Sequence, residues 1–363
     1  MSDSLRESIE AELARYHESY LDTDLMTARA VRSLEVDAGR VTLELDLGFP
    51  CGRYGQELAE RVREKLEALA DVQQADVTVG FSISPKAVQS QLKRIDGVAN
   101  IIAVASAKGG VGKSTVAANF ALALAADGAN VGLLDADIYG PSQPRLMGID
   151  TRAKAAGENV IEPVDAHGLK TMSIGYLIDK ESPAILRGPM VTSALQQMLF
   201  QSAWGDLDYL IIDLPPGTGD IQLTLAQKIP VSGAVVVTTP QDLSLIDARK
   251  GVEMFKKVSV PVLGIVENMS THICSKCGHE EHIFGEHGGQ RLADEYDVDL
   301  LGELPLDISI REYADSGKPT VVAAPDSQIA AAYFDIARNA TARLSRQKKD
   351  YASKFPNIKV EST

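Results

Sequence analysis

The sequence predicts an α/β protein with a mostly parallel sheet covered by helices on both faces, preceded by a small α+β domain. Short, almost wholly apolar runs recur after residue 100, as is typical of strands buried on both faces. Helical patterns, such as those over 115–126 and 244–257, separate the runs, and this alternation favours a parallel sheet. The runs are Ile101–Ala105, Val131–Leu134, Tyr209–Ile212, Ala234–Val237 and Val262–Val266.

Length and charge limit the classes of protein that fit. With about 150 residues per domain, a chain of 363 residues has room for two domains. The 36 Lys and Arg against 50 Asp and Glu give a net charge of −14, which argues against a broad nucleic-acid-binding face. No apolar run reaches the ~18 residues that a membrane span needs, and the first twenty residues are polar and acidic. We therefore expect a cytoplasmic protein without nucleic-acid or membrane partners.

The pattern changes along the chain and predicts the domain organisation. Residues 1–82 combine an acidic amphipathic helix over 4–20 with alternating strands, including a hairpin whose turn is Asp37–Arg40. Residues 83–99 are polar and non-periodic, and we interpret them as a linker. Residues 100–345 form the α/β domain, and 346–363 form a polar tail that Pro356 interrupts.

A glycine-rich segment follows the first apolar run and precedes a helix. It reads Ser106-Ala-Lys-Gly-Gly-Val-Gly-Lys-Ser-Thr, and its glycines let successive N–H groups converge on a phosphate at the helix N-terminus. Lys113 would reach the terminal phosphates, and the Ser114 hydroxyl would ligate Mg²⁺. This P-loop carries Ala107 where the pattern normally opens with glycine. The residues predicted to bind ATP are Ala107, Lys108, Gly109, Gly110, Val111, Gly112, Lys113, Ser114 and Thr115.

Acidic residues end two of the apolar runs. Asp135 falls where a dinucleotide-binding fold would place its ribose-binding acid, but that interpretation leaves Gly-Lys-Ser at the helix start unexplained. Asp137 follows two residues later, at the edge where ligands bind in open α/β sheets. Asp213 ends the run at 209–212 and precedes the glycine loop 217–220, which is the Walker B layout with Asp213 holding Mg²⁺.

Cys274-Ser-Lys-Cys277-Gly lies in a polar loop after the last apolar run. With His279 and His282 these thiols number four zinc ligands, although the spacing is unlike a zinc finger. A redox pair and an inert pair are further alternatives. Two chains related by a twofold axis would instead supply the four thiolates that a [4Fe–4S] cluster needs.

Lys108-Gly-Gly-Val-Gly-Lys-Ser-Thr resembles the deviant P-loop of the MinD/ParA/nitrogenase-iron-protein superfamily. The resemblance implies that Lys108 crosses the interface of a homodimer and contacts the partner's phosphates, so that Lys108, Lys113 and Asp137 form the catalytic set. It implies that Asp137 positions the attacking water and that Gly217–Asp220 is a second switch. Asn268, after a further strand, matches an adenine-reading asparagine.

Six motifs together resemble the Mrp/ApbC branch of iron–sulfur cluster carrier ATPases, from about residue 85 to 340. This resemblance implies cluster binding at Cys274 and Cys277, transfer to apo-proteins and slow ATP hydrolysis. It also likens the N-terminal unit to a MIP18-like domain, in which Cys51 is better explained as a structural, half-buried thiol. The motifs are Asp135-Ala-Asp-Ile-Tyr-Gly-Pro-Ser, Arg187-Gly-Pro-Met, Leu207-Asp-Tyr-Leu-Ile-Ile-Asp-Leu-Pro-Pro-Gly-Thr-Gly-Asp, Thr239-Pro-Gln-Asp, Glu267-Asn-Met-Ser and Cys274-x-x-Cys-Gly.

The function expected from the sequence is an ATP-dependent iron–sulfur cluster scaffold or carrier. It would require ATP, Mg²⁺ and a cluster, with Ser114 and Asp213 for Mg²⁺ and Cys274 and Cys277 for iron. A MinD/ParA-type positioning ATPase with a structural zinc site is the alternative, and an electron-transfer iron protein is a more distant one. The sequence does not specify the recipient apo-proteins.

Overall fold

The computed structural model describes residues 2–89, 92–157, 159–177, 188–217, 219–274 and 276–349. Its helices are α1 (Ser2–Leu13), α2 (Gly52–Glu67), α3 (Lys113–Ala126), α4 (Gln143–Leu146), α5 (Gly188–Phe200), α6 (Asp220–Lys228), α7 (Asp242–Lys257), α8 (Gly288–Tyr296), α9 (Ile308–Asp315), α10 (Thr320–Ala323) and α11 (Gln328–Ser345). Its strands are β1 (His17–Glu18), β2 (Thr23–Asp24), β3 (Val31–Asp37), β4 (Arg40–Asp46), β5 (Gln74–Gly80), β6 (Val98–Ala105), β7 (Val131–Asp135), β8 (Lys154–Gly157), β9 (Val160–Glu162), β10 (Val164–Ala166), β11 (Leu169–Ser173), β12 (Leu207–Asp213), β13 (Gly233–Thr238), β14 (Val262–Asn268), β15 (His272–Ile273), β16 (Glu280–Glu281) and β17 (Leu300–Leu304).

Most of these strands form one large sheet. Within the described residues its order is β10-β11-β7-β12-β6-β13-β14-β17, and its pairs are parallel except for β10 with β11. The apolar runs identified in the sequence are its central strands. Asp213 pairs in register with Asp135, so the acidic ends of β12 and β7 meet at the same edge of the sheet.

Helices cover both faces of this sheet. Along β6, Ile101 and Ala103 join a core cluster that includes side chains of α5, α6, α7 and α8. Ile102 and Val104 alternate with them and join a second cluster with side chains of α3 and α11. Alternate side chains of a strand point to opposite faces, so each face has its own core. The predicted α/β fold is confirmed.

The N-terminal segment forms a smaller α+β unit with the sheet β3-β4-β5, in which β4 pairs antiparallel with β3 and parallel with β5. Ala38 and Gly39 have φ of 47° and 86°, so the predicted hairpin turns through two left-handed residues. The helix expected over 4–20 was too long, since α1 ends at Leu13. Beyond it β1 pairs with β2, and the buried Glu18 accepts a hydrogen bond from the Tyr54 hydroxyl.

The N-terminal unit has a core of its own, whose buried residues run from Ile9 to Ala75 and include Ala342 of α11. The predicted linker, 83–99, overlaps β6, which begins at Val98. Lys86 within it is 3% exposed, and its Nζ donates to the Ser345 carbonyl at 2.6 Å. The connecting segment therefore packs against the end of α11. The boundaries 1–82, 83–99, 100–345 and 346–363 stay predictions.

A buried ion pair of the α/β unit contacts the N-terminal unit. The Arg338 guanidinium on α11 donates to both Asp127 carboxylate oxygens, at 2.7 and 3.1 Å, and lies 5.6 Å from the Tyr54 ring centre. Asp127, the C-cap of α3, also accepts hydrogen bonds from the backbone N–H groups of Gly52 and Arg53. One carboxylate thus connects α3, α11 and the start of α2.

The C-terminal helix α11 begins at a Ser327 cap, whose hydroxyl accepts from the Ala330 N–H at 3.1 Å. Residues 350–363 of the predicted tail, including Pro356, lie outside the described residues. Across the ranges that the structure describes, no helix combines the length and the apolar character that a membrane crossing demands.

Candidate functional site

The glycine-rich loop joins the end of β6 to the start of α3. Gly110 and Gly112 have φ of 84° and 83°, in the left-handed region that favours glycine. A Cβ at Gly112 would collide with the Asn268 side-chain nitrogen, whereas a Cβ at Gly109 or Gly110 would meet no atom within 4 Å. The loop is therefore closed on one side and open on the other, where the N-terminus of α3 can receive a phosphate.

Lys113 and Asp213 form a buried ion pair at the base of this loop. The Lys113 side chain is 6% exposed and that of Asp213 is 0% exposed. The ammonium donates to Asp213 and also lies 3.2 Å from Ser114 Oγ. Because the pair is shielded from water, its mutual attraction is stronger than that of a surface pair. The structure thus brings together residues of two motifs, Lys113 and Ser114 of the P-loop and Asp213 of the Walker B layout.

The oxygen atoms around Lys113 suit a magnesium ion. Ser114 Oγ and the Asp213 carboxylate both face the Lys113 ammonium. Gln143 Oε1 is buried nearby and has no hydrogen-bond partner among the described residues. Carboxylate, hydroxyl and amide oxygens are hard donors of the kind that Mg²⁺ selects. The residues present fit the predicted magnesium site, with Ser114 and Asp213 as its ligands.

Gln143 is a residue that the sequence reasoning missed. Its Nε2 donates to Asp213 Oδ2 at 2.9 Å and to the Ser114 carbonyl at 3.0 Å, so it links β12 to the first turn of α3. Gln143 begins α4, and its side chain is 1% exposed. The signal in the sequence is weak, because no spacing rule marks a glutamine after a Pro-Ser dipeptide.

Asp135 organises the loop that follows β7. Its carboxylate accepts hydrogen bonds from the backbone of Asp137, Ser142 and Gln143, at 3.0–3.1 Å, and from the Ser173 hydroxyl at 3.2 Å. Burial raises the pKa of Asp135, and the neighbouring Asp213 raises it further. These contacts give Asp135 a structural role in shaping the loop that holds Gln143.

Asp137 lies directly beyond the carboxyl end of β7, as predicted. Its Oδ1 accepts from the Gly140 N–H at 3.2 Å, which closes a short turn. Gly217 donates its N–H to the Ser106 carbonyl at 3.0 Å, so the second predicted switch starts against the phosphate loop. Thr218 and the side chain of Asp220 lie outside the described residues, as does Arg187. The catalytic role of Asp137 stays a prediction.

Lys108 lies apart from Lys113, on the exposed side of the loop. With Gly109 and Gly110 it lines a cavity of about 140 Å³, which Thr239, Ser244 and Phe284 also line. Leu243 and Ile283, the sequence neighbours of Ser244 and Phe284, are 69% and 53% exposed. Exposed apolar residues therefore lie next in sequence to residues that line this cavity. Of the other predicted loop residues, Val111 is buried, and Ala107 and Thr115 are half-buried.

Asn268 ends β14, and its side chain contacts the phosphate loop at Val111. Its Nδ2 donates to the Val111 carbonyl at 2.8 Å, and its side chain is 7% exposed. This hydrogen bond anchors the loop to the end of β14. The role of Asn268 in reading adenine stays a prediction.

Cys274 and Cys277 lie at the tip of the hairpin formed by β15 and β16. The turn is closed by hydrogen bonds from the Cys274 N–H to the His279 carbonyl at 2.9 Å and from the Gly278 N–H to the Cys274 carbonyl at 2.8 Å. Hydrogen bonds from the backbone N–H groups of Lys276 and Cys277, and then from the Cys277 thiol, lower the pKa of Cys274. Cys274 is half-buried and Cys277 is exposed. N–H groups directed at sulfur favour the thiolate, which is the metal-binding form.

The neighbouring histidines make contacts other than with the thiols. His279 Nε2 lies 3.8 Å from a carboxylate oxygen of Glu281. His282 Nδ1 lies 3.2 Å from the Ser270 carbonyl, and its Nε2 lies 3.8 Å from Glu286. Within the described ranges, no three His, Cys, Asp or Glu side chains are grouped as a metal site would require. The four ligands of the single-chain zinc alternative are not assembled in this structure.

Cys51 is buried at the start of α2, with 1% exposure, and its Sγ lies 3.7 Å from the Gly80 carbonyl. Burial, followed by the charge of Asp127, raises the pKa of Cys51 to about 12. A buried thiol that stays protonated is unreactive. Cys51 packs in the core of the N-terminal unit, more deeply than the half-buried position expected.

The family model described as NUBPL iron-transfer P-loop NTPase, with the short name ParA, matches residues 97–341. The chain belongs to this family. The matched range contains the phosphate loop, both acidic strand ends and the cysteine hairpin.

Members of this iron-transfer family with curated names are similar over most of their length. The iron-sulfur cluster carrier protein of Pseudomonas fragi is 59% identical over 271 residues, which cover 74% of this chain and 94% of that protein. The iron-sulfur cluster carrier protein of Salmonella typhimurium is 50% identical over 344 residues, which cover 94% of this chain and 93% of that protein. The second match extends into the N-terminal unit, whose likeness to MIP18 stays a prediction.

Solved structures of related ATPases share the fold. A nucleotide-binding protein from Archaeoglobus fulgidus, in complex with ADP, is 41% identical with a TM-score of 0.56, and the match covers 62% of this chain and 89% of that one. The cell division ATPase MinD of Pyrococcus furiosus is 25% identical with a TM-score of 0.51. The match covers 66% of this chain and 97% of the MinD chain. The iron-transfer family therefore shares the MinD/ParA architecture, and the chain is a P-loop NTPase.

Proposed function

We propose that this protein is an ATP-dependent iron–sulfur cluster carrier. Two copies would hold a cluster between their Cys274 and Cys277 thiols and transfer it to apo-proteins. The observation that carries the proposal is a thiol pair at a hairpin tip, half-buried at Cys274 and exposed at Cys277, with N–H groups directed at one sulfur, in a chain that also has a complete phosphate loop. The relatives named as iron–sulfur cluster carriers support the same function.

ATP binding would require Lys113 to change partners. In the structure Lys113 neutralises Asp213, and we infer that it turns to the terminal phosphates when ATP enters the loop. Ser114 and the Asp213 carboxylate, which Lys113 vacates, would hold Mg²⁺. The bound ion would neutralise charge on the phosphates. Gln143 keeps Asp213 oriented through this exchange, because it contacts the other carboxylate oxygen. Asp137 would position the attacking water, and we expect turnover to be slow.

A second copy of the chain would complete both sites. The hairpin supplies two thiols, and a [4Fe–4S] cluster needs four. Lys108 is exposed beside the loop, as a lysine that reaches a partner's phosphates must be. Exposed apolar side chains on α7 and on the hairpin, which an interface would bury, support a twofold dimer through this face. They are Leu243, Ile246, Ile273 and Ile283.

The nucleotide and the cluster would affect each other through β14. This strand ends at Asn268, which bonds the phosphate loop, and the hairpin with Cys274 begins four residues later. If ATP changes the affinity for the cluster, the cluster must change the affinity for ATP by the same factor. Equal ATP affinities with and without cluster would remove this coupling.

The alternative is a MinD/ParA-type positioning ATPase with a structural zinc site. Its single-chain site would need His279 and His282 to turn away from Glu281, Ser270 and Glu286. The contacts of the two histidines therefore favour the shared-thiol proposal. We expect the protein to act in the cytoplasm.

Anaerobic reconstitution tests the two proposals against each other. Wild type and the Cys274→Ala/Cys277→Ala variant are reconstituted with iron and sulfide, in the presence of zinc, and the iron, sulfide and zinc bound per chain are counted. A bridging [4Fe–4S] cluster gives two irons and two sulfides per wild-type chain, about half of a cluster, and none in the variant. One zinc per chain without iron or sulfide would instead support the positioning ATPase. A His279→Ala/His282→Ala variant is the matched control, and should bind iron as wild type does.

A further inference from the structure

A second cavity, of about 620 Å³, lies where the N-terminal unit meets the end of α11. None of its lining residues belongs to the phosphate loop or to the cysteine hairpin. Its walls come from the N-terminal unit, from the segment after β5 and from the residues around the C-terminus of α11. Cationic side chains line it from all three: Arg29, Arg32, Lys86, Arg346 and Lys349.

These five cations outnumber the one acidic side chain of the lining, which is Asp46. Within the residues that the structure describes, none of the five forms an ion pair. Asp46 also lines the cavity, but its Oδ1 accepts the backbone N–H groups of Gly48 and Ser82, at 3.1 and 2.9 Å. A chain with a net charge of −14 has therefore concentrated positive charge around one cavity. Such a cavity attracts anions, because low-dielectric walls focus the field of the lining charges.

The fold holds these charges in place against their repulsion. Lys86 is 3% exposed, and burial, followed by the charge of Lys349, lowers the pKa of Lys86 to about 8. Arg346 is fixed by a hydrogen bond from Nη1 to the Leu21 carbonyl at 2.6 Å. Arg29 has a φ of 57°, a conformation that non-glycine residues seldom adopt and that costs free energy. Arg32, the remaining arginine of the lining, is an exposed residue of β3.

We propose that this cavity binds a small polyanion that carries two or more phosphate or carboxylate groups. Its volume falls within the range of small-molecule sites, which is roughly 300–1,000 Å³. Arginine presents a planar fork of donors that matches the oxygens of either group, and lysine adds a compact charge. The site draws on both units of the chain, so a bound anion would also hold them together.

Calorimetric titration of the full chain tests this proposal, with citrate as the carboxylate probe and pyrophosphate as the phosphate probe, in magnesium-free buffer. Wild type is expected to bind at least one probe with a dissociation constant below about 1 mM. Arg29→Gln/Arg32→Gln should weaken that binding by at least about tenfold, because charge-assisted hydrogen bonds are lost. Binding of one probe alone identifies the chemical group that the cavity prefers.

The matched control is Arg40→Gln/Arg63→Gln, which removes two exposed arginines of the same unit that do not line the cavity. This control should bind both probes as wild type does. Equal weakening in the control, or no saturable binding of either probe to wild type, would overturn the proposal. ATP turnover should be unchanged in Arg29→Gln/Arg32→Gln, so the result is independent of the function proposed for the phosphate loop. Pyrophosphate that binds the loop alone would bind this variant undiminished, which also counts against the cavity.

Discussion

The phosphate loop and the cysteine hairpin are built in opposite ways. Around the loop, Lys113, Asp213 and Gln143 are buried and bonded to one another within one chain. On the hairpin, Cys277 is exposed, and the turn is held mainly by its own backbone hydrogen bonds. The first site is assembled before its ligand arrives, while the second presents only part of a ligand set. Under the proposed function, the single chain would supply most of the nucleotide site, whereas the cluster would need the thiols of a second copy.

The largest expected effect is that of Lys113→Ala. The variant should lose ATP binding and hydrolysis, and its free energy of unfolding should fall by about 3–5 kcal/mol, because the buried Asp213 is left without its partner. Urea denaturation and phosphate release measure the two effects. Lys250→Ala is the control, since that lysine forms an exposed pair with Asp247 and contributes little. Undiminished turnover in Lys113→Ala would refute the site.

Lys108→Ala should lower turnover by about a thousandfold, as the loss of an arginine finger does, without changing the urea midpoint. Lys257→Ala, also an exposed lysine, is the control. Mixing the Lys108→Ala and Lys113→Ala chains in equal amounts sharpens the test. One site of each mixed dimer would regain both lysines, so about a quarter of wild-type turnover should return. No recovery on mixing would mean that Lys108 acts within its own chain.

Gln143→Ala should weaken the magnesium dependence of nucleotide binding by about 10- to 100-fold, since groups that orient metal ligands have effects of this size. ADP affinity measured with and without Mg²⁺ separates this role from a structural one. Affinity without magnesium should change little. Gln290→Ala, an exposed glutamine bonded to Asp294, is the control. Equal loss with and without the metal would assign Gln143 to the packing of the loop.

Cys274→Ala/Cys277→Ala should leave the urea midpoint of the metal-free protein unchanged, although it removes the proposed cluster ligands. Neither thiol contributes a buried side chain to a core cluster, so the hairpin has little packing to lose. The Cys51→Ala variant is the contrasting control, and should lower the midpoint because Cys51 packs in the N-terminal core. A large shift in the double variant would show that the hairpin supports the fold.

The smallest effect concerns thiol access. Iodoacetamide should label Cys274 and Cys277 in the folded, metal-free protein, and Cys51 only after denaturation in urea. Mass spectrometry of peptides from both samples measures the labelling. Modification of Cys51 in the folded state would contradict its burial. Protection of all three thiols would instead contradict the exposure of the hairpin.

The sheet and the phosphate loop could be predicted because their signals are local. A strand buried on both faces must be apolar along its length, and the loop needs glycines at fixed spacing. The sequence also predicted that Asp213 ends a buried strand and that Asp137 lies just beyond the carboxyl end of another, and both positions follow from the apolar runs before them. The family model and the curated relatives confirmed the family that the motifs had indicated.

The contacts between distant residues could not be predicted. Lys113 and Asp213 are 100 positions apart, and their pairing follows from the register of β12 beside β6. Gln143 reaches Asp213 only because Asp135 folds the preceding loop back over the sheet. The depth of Cys51 likewise depends on α2 packing against β5. In each case the partner is selected by tertiary structure and leaves no periodic signal in the chain.

Helix α3 begins at Lys113 in the phosphate loop and ends about 20 Å away at Asp127, whose backbone carbonyl accepts from the Gly52 N–H and whose carboxylate accepts from Arg53 and Arg338. Helix α3 therefore has the phosphate loop at one end and the N-terminal unit at the other. If nucleotide binding tilts α3, the first turn of α2 would move with it, because Asp127 holds that turn. We therefore expect the N-terminal unit to respond to the nucleotide state of the loop, although it contributes no residue to that loop.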